Sequence, residues 1–107
     1  MRAGAGPLLV LGRMNDAGVA RMGLSISRRA GGAVVRNAIK RRLREAFRMA
    51  QHELPKAADG RGYDLLISVR AHEPLRVEDY QRLLLEATQD IDRTWRKKLQ
   101  RQSNRSA

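Results

Sequence analysis

Arg36, Lys40, Arg44 and Arg48 recur at intervals of four residues. On a helix they form one ridge, with neighbours about 6 Å apart, comparable with the phosphate spacing along a nucleic-acid strand. Like charges at that spacing repel and weaken an isolated helix, and almost no Asp or Glu is interleaved to relieve them. Such a ridge makes sense when a polyanion neutralises it. Between Arg21 and Arg48 there are nine cations and one anion, Glu45, a net of +8 out of +11 for the whole chain. Eighteen of the 22 cations are arginine, whose planar fork donates two hydrogen bonds to one phosphate. A field of this size favours nucleic acid first, and an acidic membrane or protein second.

Other chemistry finds little support. His52 and His72 lie far apart, with no cysteine and no carboxylate pair at ligand spacing, which argues against a metal site. Ser25 and Ser27 alternate along a strand and lack the Gly-x-Ser-x-Gly turn of a hydrolase. Gly31-Gly32 precedes a helix but follows neither glycine-rich nucleotide-binding pattern, so it reads as a turn and cap. No constellation for protein-based catalysis is present. The chain contains no cysteine, which fits a reducing compartment. Its N-terminal apolar run of four residues, Leu8–Leu11, is shorter than the roughly 7–15 of a secretory signal. A cytoplasmic protein without a membrane span is expected.

The elements that must position the ridge follow from periodicity. Residues 1–7 are rich in Gly and Ala and read as a flexible lead-in. Leu8–Met14 reads as a strand, followed by the turn cluster Asn15-Asp16-Ala17-Gly18. Val19–Ser27 reads as a second strand, with Met22, Leu24 and Ile26 on one face. Arg21, Gly23, Ser25 and Ser27 lie on the other, a small-residue face that leaves room for something to lie against the sheet. From Ala33 to Leu54 the period becomes helical. Val35, Ile39, Leu43, Ala46, Ala50 and Leu54 cover an apolar arc of about 100°. Arg36, Asn37, Lys40, Arg41, Arg44 and Arg48 fill an adjoining arc of about 140°. Gly32 is a permissible cap and Pro55 a stop. Tyr63–Arg70 is a short apolar strand. Val77–Gln100 is a second helix, buried through Val77, Tyr80, Leu84, Ala87, Ile91 and Trp95. Residues 102–107 read as a disordered tail, leaving 8–101 as the folded domain. The class is α+β with one small sheet.

The residues Gly23-Leu-Ser-Ile-Ser-Arg-Arg-Ala-Gly31, followed by Ala33-Val-Val-Arg-Asn-Ala-Ile-Lys-Arg-Arg-Leu-Arg-Glu-Ala-Phe-Arg48, resemble the signature region of the bacterial ribonuclease P protein family. That signature is a Gly-x-Ser-x-Ser strand, two basic residues, a glycine, and a helix with an Arg-Asn-Arg core running into Lys-Arg-x-x-Arg-Glu. The resemblance implies a small central sheet carrying the basic helix through a left-handed βαβ crossover, closed by a C-terminal amphipathic helix. It implies a tRNA-processing endonuclease made of RNA and protein, in which the RNA holds the active site and its Mg2+. The protein itself, a monomer in that assembly, would bind no cofactor. Its partners would be the catalytic RNA and precursor tRNA, whose 5′ leader it would guide along a cleft.

Carried over by position, Arg36 and Asn37 match the start of the core, and Lys40, Arg41 and Arg44 its continuation, with Arg48 extending the ridge. Arg28 and Arg29 match the basic pair beside the leader path, and Ser25 and Ser27 the small residues of the cleft. Two departures stand out. Ala38 replaces the second core arginine, with Arg42 one turn on as the candidate to compensate. The family's N-terminal helix and cleft aromatics have no counterpart, since Leu8–Met14 contains no aromatic residue, so base stacking is not expected there. The competing reading, a generic RNA-binding module of ribosomal or nucleoid type, explains the charge but not the strand-to-helix signature. A membrane-surface protein would need bulky residues opposite its cations, whereas this apolar arc has the width for packing on a sheet.

Overall fold

The computed structural model describes residues 1–57 and 59–106. Its elements run β1 (Arg2–Ala5), β2 (Leu8–Asn15), β3 (Arg21–Ile26), a short 3-10 helix (Arg28–Ala30), α1 (Ala33–Ala50), β4 (Gly62–Val69) and α2 (Val77–Ser106). The four strands form one sheet in the order β1-β2-β4-β3. β2 pairs antiparallel with β1 and with β4. β3 and β4 are parallel neighbours, and α1 is the crossover between them. This is the α+β architecture expected from the sequence.

The two helices share one core with one face of the sheet. Ile39, Leu43, Ala46 and Ala50 of α1 are buried with Tyr80, Leu84, Ala87 and Ile91 of α2, against Leu8, Val10, Leu65 and Ile67 of the strands. Both helical stripes are the predicted ones. Two polar ties lock α2 onto this core. The Tyr63 hydroxyl donates to Asp92 Oδ1 at 2.7 Å. Arg96 donates from Nε to Asp92 Oδ2 at 2.8 Å, and from its guanidinium to the Lys56 carbonyl at 3.0 Å.

Three boundaries differ from the expectation. The lead-in is not free, because Arg2–Ala5 forms the edge strand β1, with Ala5 buried under α2. Gly6, at a φ of 55°, closes the two-residue link to β2 in a conformation that residues with a Cβ rarely adopt. α1 stops at Ala50 rather than Leu54. Pro55 disfavours helical backbone at Leu54, and the chain closes in a turn through the Leu54 N–H to Ala50 carbonyl bond, still burying Leu54. α2 continues to Ser106, through most of the segment expected to be a disordered tail. Ala107 lies outside the described residues.

Candidate nucleic-acid interface

The basic ridge lies along α1 on the arc that adjoins the stripe entering the core. Asn37, Arg41, Arg44 and Arg48 are exposed, and Lys40 is half-buried. With Val77 at the start of α2 they line an open groove of about 820 Å³. Among the described residues, Lys40, Arg41 and Arg44 have no hydrogen-bond or ion-pair partner, which leaves them free for phosphate. Arg48 is paired with Glu45, its Nε donating at 3.1 Å. That bond raises the Arg48 pKa and lowers that of Glu45. Arg36 is half-buried in the first turn, with its Nε enclosed and unpaired, so it is less available than its place in the ridge suggests.

Arg42, one turn beyond Ala38, also lines this groove. Its Nη1 donates to the Leu75 carbonyl at 2.9 Å, tying α1 to the segment that leads into α2. A guanidinium held there is a structural tether.

The second surface is the sheet face left uncovered by the helices. Cross-strand register sets Leu11, Leu66 and Gly23 side by side, and Leu9, Ser68 and Ser25 beside them. Leu11 and Leu66 are exposed by 38% and 44%, and with Met1 and Gly23 they floor an open depression of about 610 Å³. Ser25 sits on this face as expected. Ser27 lies just beyond it, at the start of the 3-10 helix, with Arg28 and Arg29 exposed next to it. No residue lines both the depression and the α1 groove. The predicted site residues therefore fall on two surfaces, joined through the Ser27–Arg29 bend.

One edge of the open face carries a network that sequence reasoning missed. Arg21 donates to Asp64 from Nε at 2.7 Å and from Nη2 at 3.1 Å, and Arg13 approaches the same carboxylate at 3.6 Å. Asn15, buried, donates its amide to Asp64 Oδ1 at 2.8 Å and to the Val19 carbonyl at 3.1 Å. Bonds from Arg21 and Asn15 hold the Asp64 carboxyl down at about 2. A fixed anion thus orients two arginines across the face and partly offsets their charge. The register Arg13↔Asp64↔Arg21 needs the strand order, which no local pattern supplies.

The open face contains no aromatic residue. Tyr63 and Tyr80 are fully buried, and Phe47 and Trp95 pack on the core from its edge. Contact with a strand laid across this face would use leucine side chains and arginines rather than ring stacking. Among the described residues no three His, Asp or Glu side chains cluster in a way that could hold a metal ion. Among the described residues no helix is long and apolar enough to cross a membrane.

The chain is similar in sequence and fold to known proteins. Over 55 residues, half of the chain, the sequence is 49% identical to the ribonuclease P protein component of Edwardsiella ictaluri and 47% identical to that of Escherichia coli. The matched stretch covers 46% of either relative, so it spans about half the length of the curated relatives. The RNase P protein of Thermotoga maritima superposes with a TM-score of 0.67 at 26% identity, over 80% of this chain and 78% of that one. The Staphylococcus aureus RNase P protein, at 24% identity and a TM-score of 0.64 over 85% of this chain and 80% of its own, shares the fold. The sequence profile of the Ribonuclease P family matches residues 1–101, nearly the entire chain, and the chain belongs to that family.

Proposed function

We propose that this chain is the protein subunit of a ribonuclease P ribonucleoprotein, binding the catalytic RNA and the 5′ leader of precursor tRNA to promote removal of the leader. The observation that carries this reading is the pair of surfaces that flank the Ser27–Arg29 bend. An unpaired basic helix face suits the phosphates of a folded RNA, and an uncovered sheet face suits a single strand. Arg41, Arg44 and Lys40 are the ridge members we assign to RNA, with Asn37 and Arg36 beside them and Arg48 at the far end after exchange of its Glu45 partner. Ser25, Ser27, Arg28 and Arg29 are assigned to the leader, passing over Leu11 and Leu66.

The protein's contribution is electrostatic and positional. Each phosphate contact releases counterions, so affinity falls steeply with salt, and a leader held beside the catalytic RNA gains effective concentration. The bond-breaking chemistry, with its Mg2+, is assigned to the RNA, and we assign no general acid, base or nucleophile of this chain to it. We assign the assembly to the cytoplasm and the protein to it as a monomer.

Filter binding to ribonuclease P RNA tests the reading. The chain should bind that RNA more tightly than an unrelated structured RNA of equal length at 0.1–0.2 M salt. Equal affinity for both would reduce it to a charge-driven RNA binder.

A further inference from the structure

The last third of α2 has a composition unlike the rest of the helix. From Val77 to Asp92 there are five acids, Glu78, Asp79, Glu86, Asp90 and Asp92, and one base, Arg82. Residues 93–107 hold six cations and no acid. The two acids at the boundary are already taken, Asp90 by Arg93 and Asp92 by Arg96. Beyond them Lys97, Lys98 and Arg101 are exposed, and among the described residues none of them has a carboxylate partner. Lys98 lies 5.1 Å over the Trp95 ring, a cation–π contact that steadies its stem.

Their placement on the wheel is also informative. Lys98 follows Ala87 by eleven residues and Ile91 by seven, which returns it to within about 20° of both. Arg101 follows Leu83 by eighteen, which is five full turns. These are lines of the buried face, so the side of α2 that enters the core turns cationic after Trp95. Arg96 is bonded to the Lys56 carbonyl in the segment that follows α1, and Lys97, Lys98, Gln100 and Arg101 beyond it are exposed. The molecule is 54 Å long and only 24 and 20 Å across, as expected for a helix that projects.

The bland account is a favourable match to the helix dipole. That effect fades within the last turn, and Lys97 and Lys98 stand two turns before the end. Lys97 and Arg101, four apart, repel each other without an acid to relieve them.

We propose that the projecting end of α2 is a second RNA-binding surface, in which Lys97, Lys98 and Arg101 grip the phosphate backbone of a folded RNA. The inference rests on the reading of this chain as an RNA-binding subunit and adds a contact to it. The arm presents no exposed aromatic, so it offers phosphate contacts without base stacking. Its rigid spacing of about 6 Å between i and i+4 positions suits a backbone already held in a paired helix.

The test uses the full chain, a fully paired RNA duplex as probe, and two variants whose folding is checked by circular dichroism. One carries Lys97→Gln, Lys98→Gln and Arg101→Gln, changes that keep good helix formers on an exposed surface. The other carries Arg41→Gln and Arg44→Gln on α1. If the arm binds RNA, the triple variant lowers the slope of log affinity against log salt by about 2, and weakens binding at 0.1 M salt by roughly a hundredfold. An unchanged slope in the triple variant alongside a lowered slope in the α1 variant overturns the arm and leaves the proposed function standing. Unchanged slopes in both overturn the arm together with the ridge.

Discussion

Arg42 and Arg44 stand two residues apart on α1, and replacing each in turn separates stability from RNA binding. Arg42 is half-buried and donates to the Leu75 carbonyl at 2.9 Å. Arg44 is exposed and unpaired among the described residues. Arg42→Met keeps most of the stem and removes the donor. A hydrogen bond from a charged group contributes about 1.5–3 kcal/mol, and partial exposure puts this one near the lower end. In a domain of this size a loss of about 1.5 kcal/mol lowers Tm by roughly 6–12 °C. Arg44→Met should leave Tm within about 2 °C, since surface changes stay near 0.5 kcal/mol. Its effect falls on RNA. One lost phosphate contact flattens the salt slope by about 0.7–0.9, roughly five- to eightfold in affinity at 0.1 M salt. The assay pairs thermal melts with filter binding at four salt concentrations. A reversed pattern, with Arg42→Met flattening the slope and leaving Tm in place, would refute the assignment of Arg42 as tether.

Three further outcomes follow from the geometry. Gly62→Ala should destabilise the fold by about 1–3 kcal/mol or more in urea titration, because its Cβ would lie 2.2 Å from the Val19 carbonyl oxygen, a backbone atom. The folded Asp64 carboxyl is held at about 2, below its ordinary 3.8. Its contribution is therefore complete above about pH 4 and lost as pH falls toward 2. Stability followed over that window should drop in the natural chain and drop less in Asp64→Asn, and parallel curves would contradict the network. Burial raises the pKa of both tyrosines, Tyr63 and Tyr80, with the Asp92 bond adding to the shift of Tyr63. Tyrosinate absorbance should accordingly stay low near pH 10, where free phenols are half ionised, and rise only with unfolding.

Much of this arrangement was legible in the sequence because its signals are local. The four-residue spacing of Arg36, Lys40, Arg44 and Arg48, the stripe from Ile39 to Ala50, and the alternation of Met22, Leu24 and Ile26 each report one element's own geometry. What stayed hidden depends on neighbours. β1 has almost no strand propensity in Arg-Ala-Gly-Ala, and forms because β2 offers an edge and α2 a cover for Ala5. Leu11 and Leu66 sit in apolar runs that read as strands without showing which face is covered. Only the placement of both helices on one side leaves them open. Nothing within α1 distinguishes Arg42 from Arg44, since the Leu75 carbonyl that claims Arg42 comes from a segment 33 residues away. The Asn15–Asp64–Arg21 network likewise spans three strands. The end of α2 runs past its expected stop because nothing in Gln102–Ser106 breaks a helix.

The most direct measurement is reconstitution. The purified chain is mixed with ribonuclease P RNA at low magnesium, and release of the 5′ leader from a precursor tRNA is followed over time. Release should be faster than with RNA alone, with the stimulation reduced in the Arg41→Gln/Arg44→Gln variant. Tight RNA binding without any stimulation, in this chain and in an N-terminally extended one, would contradict it.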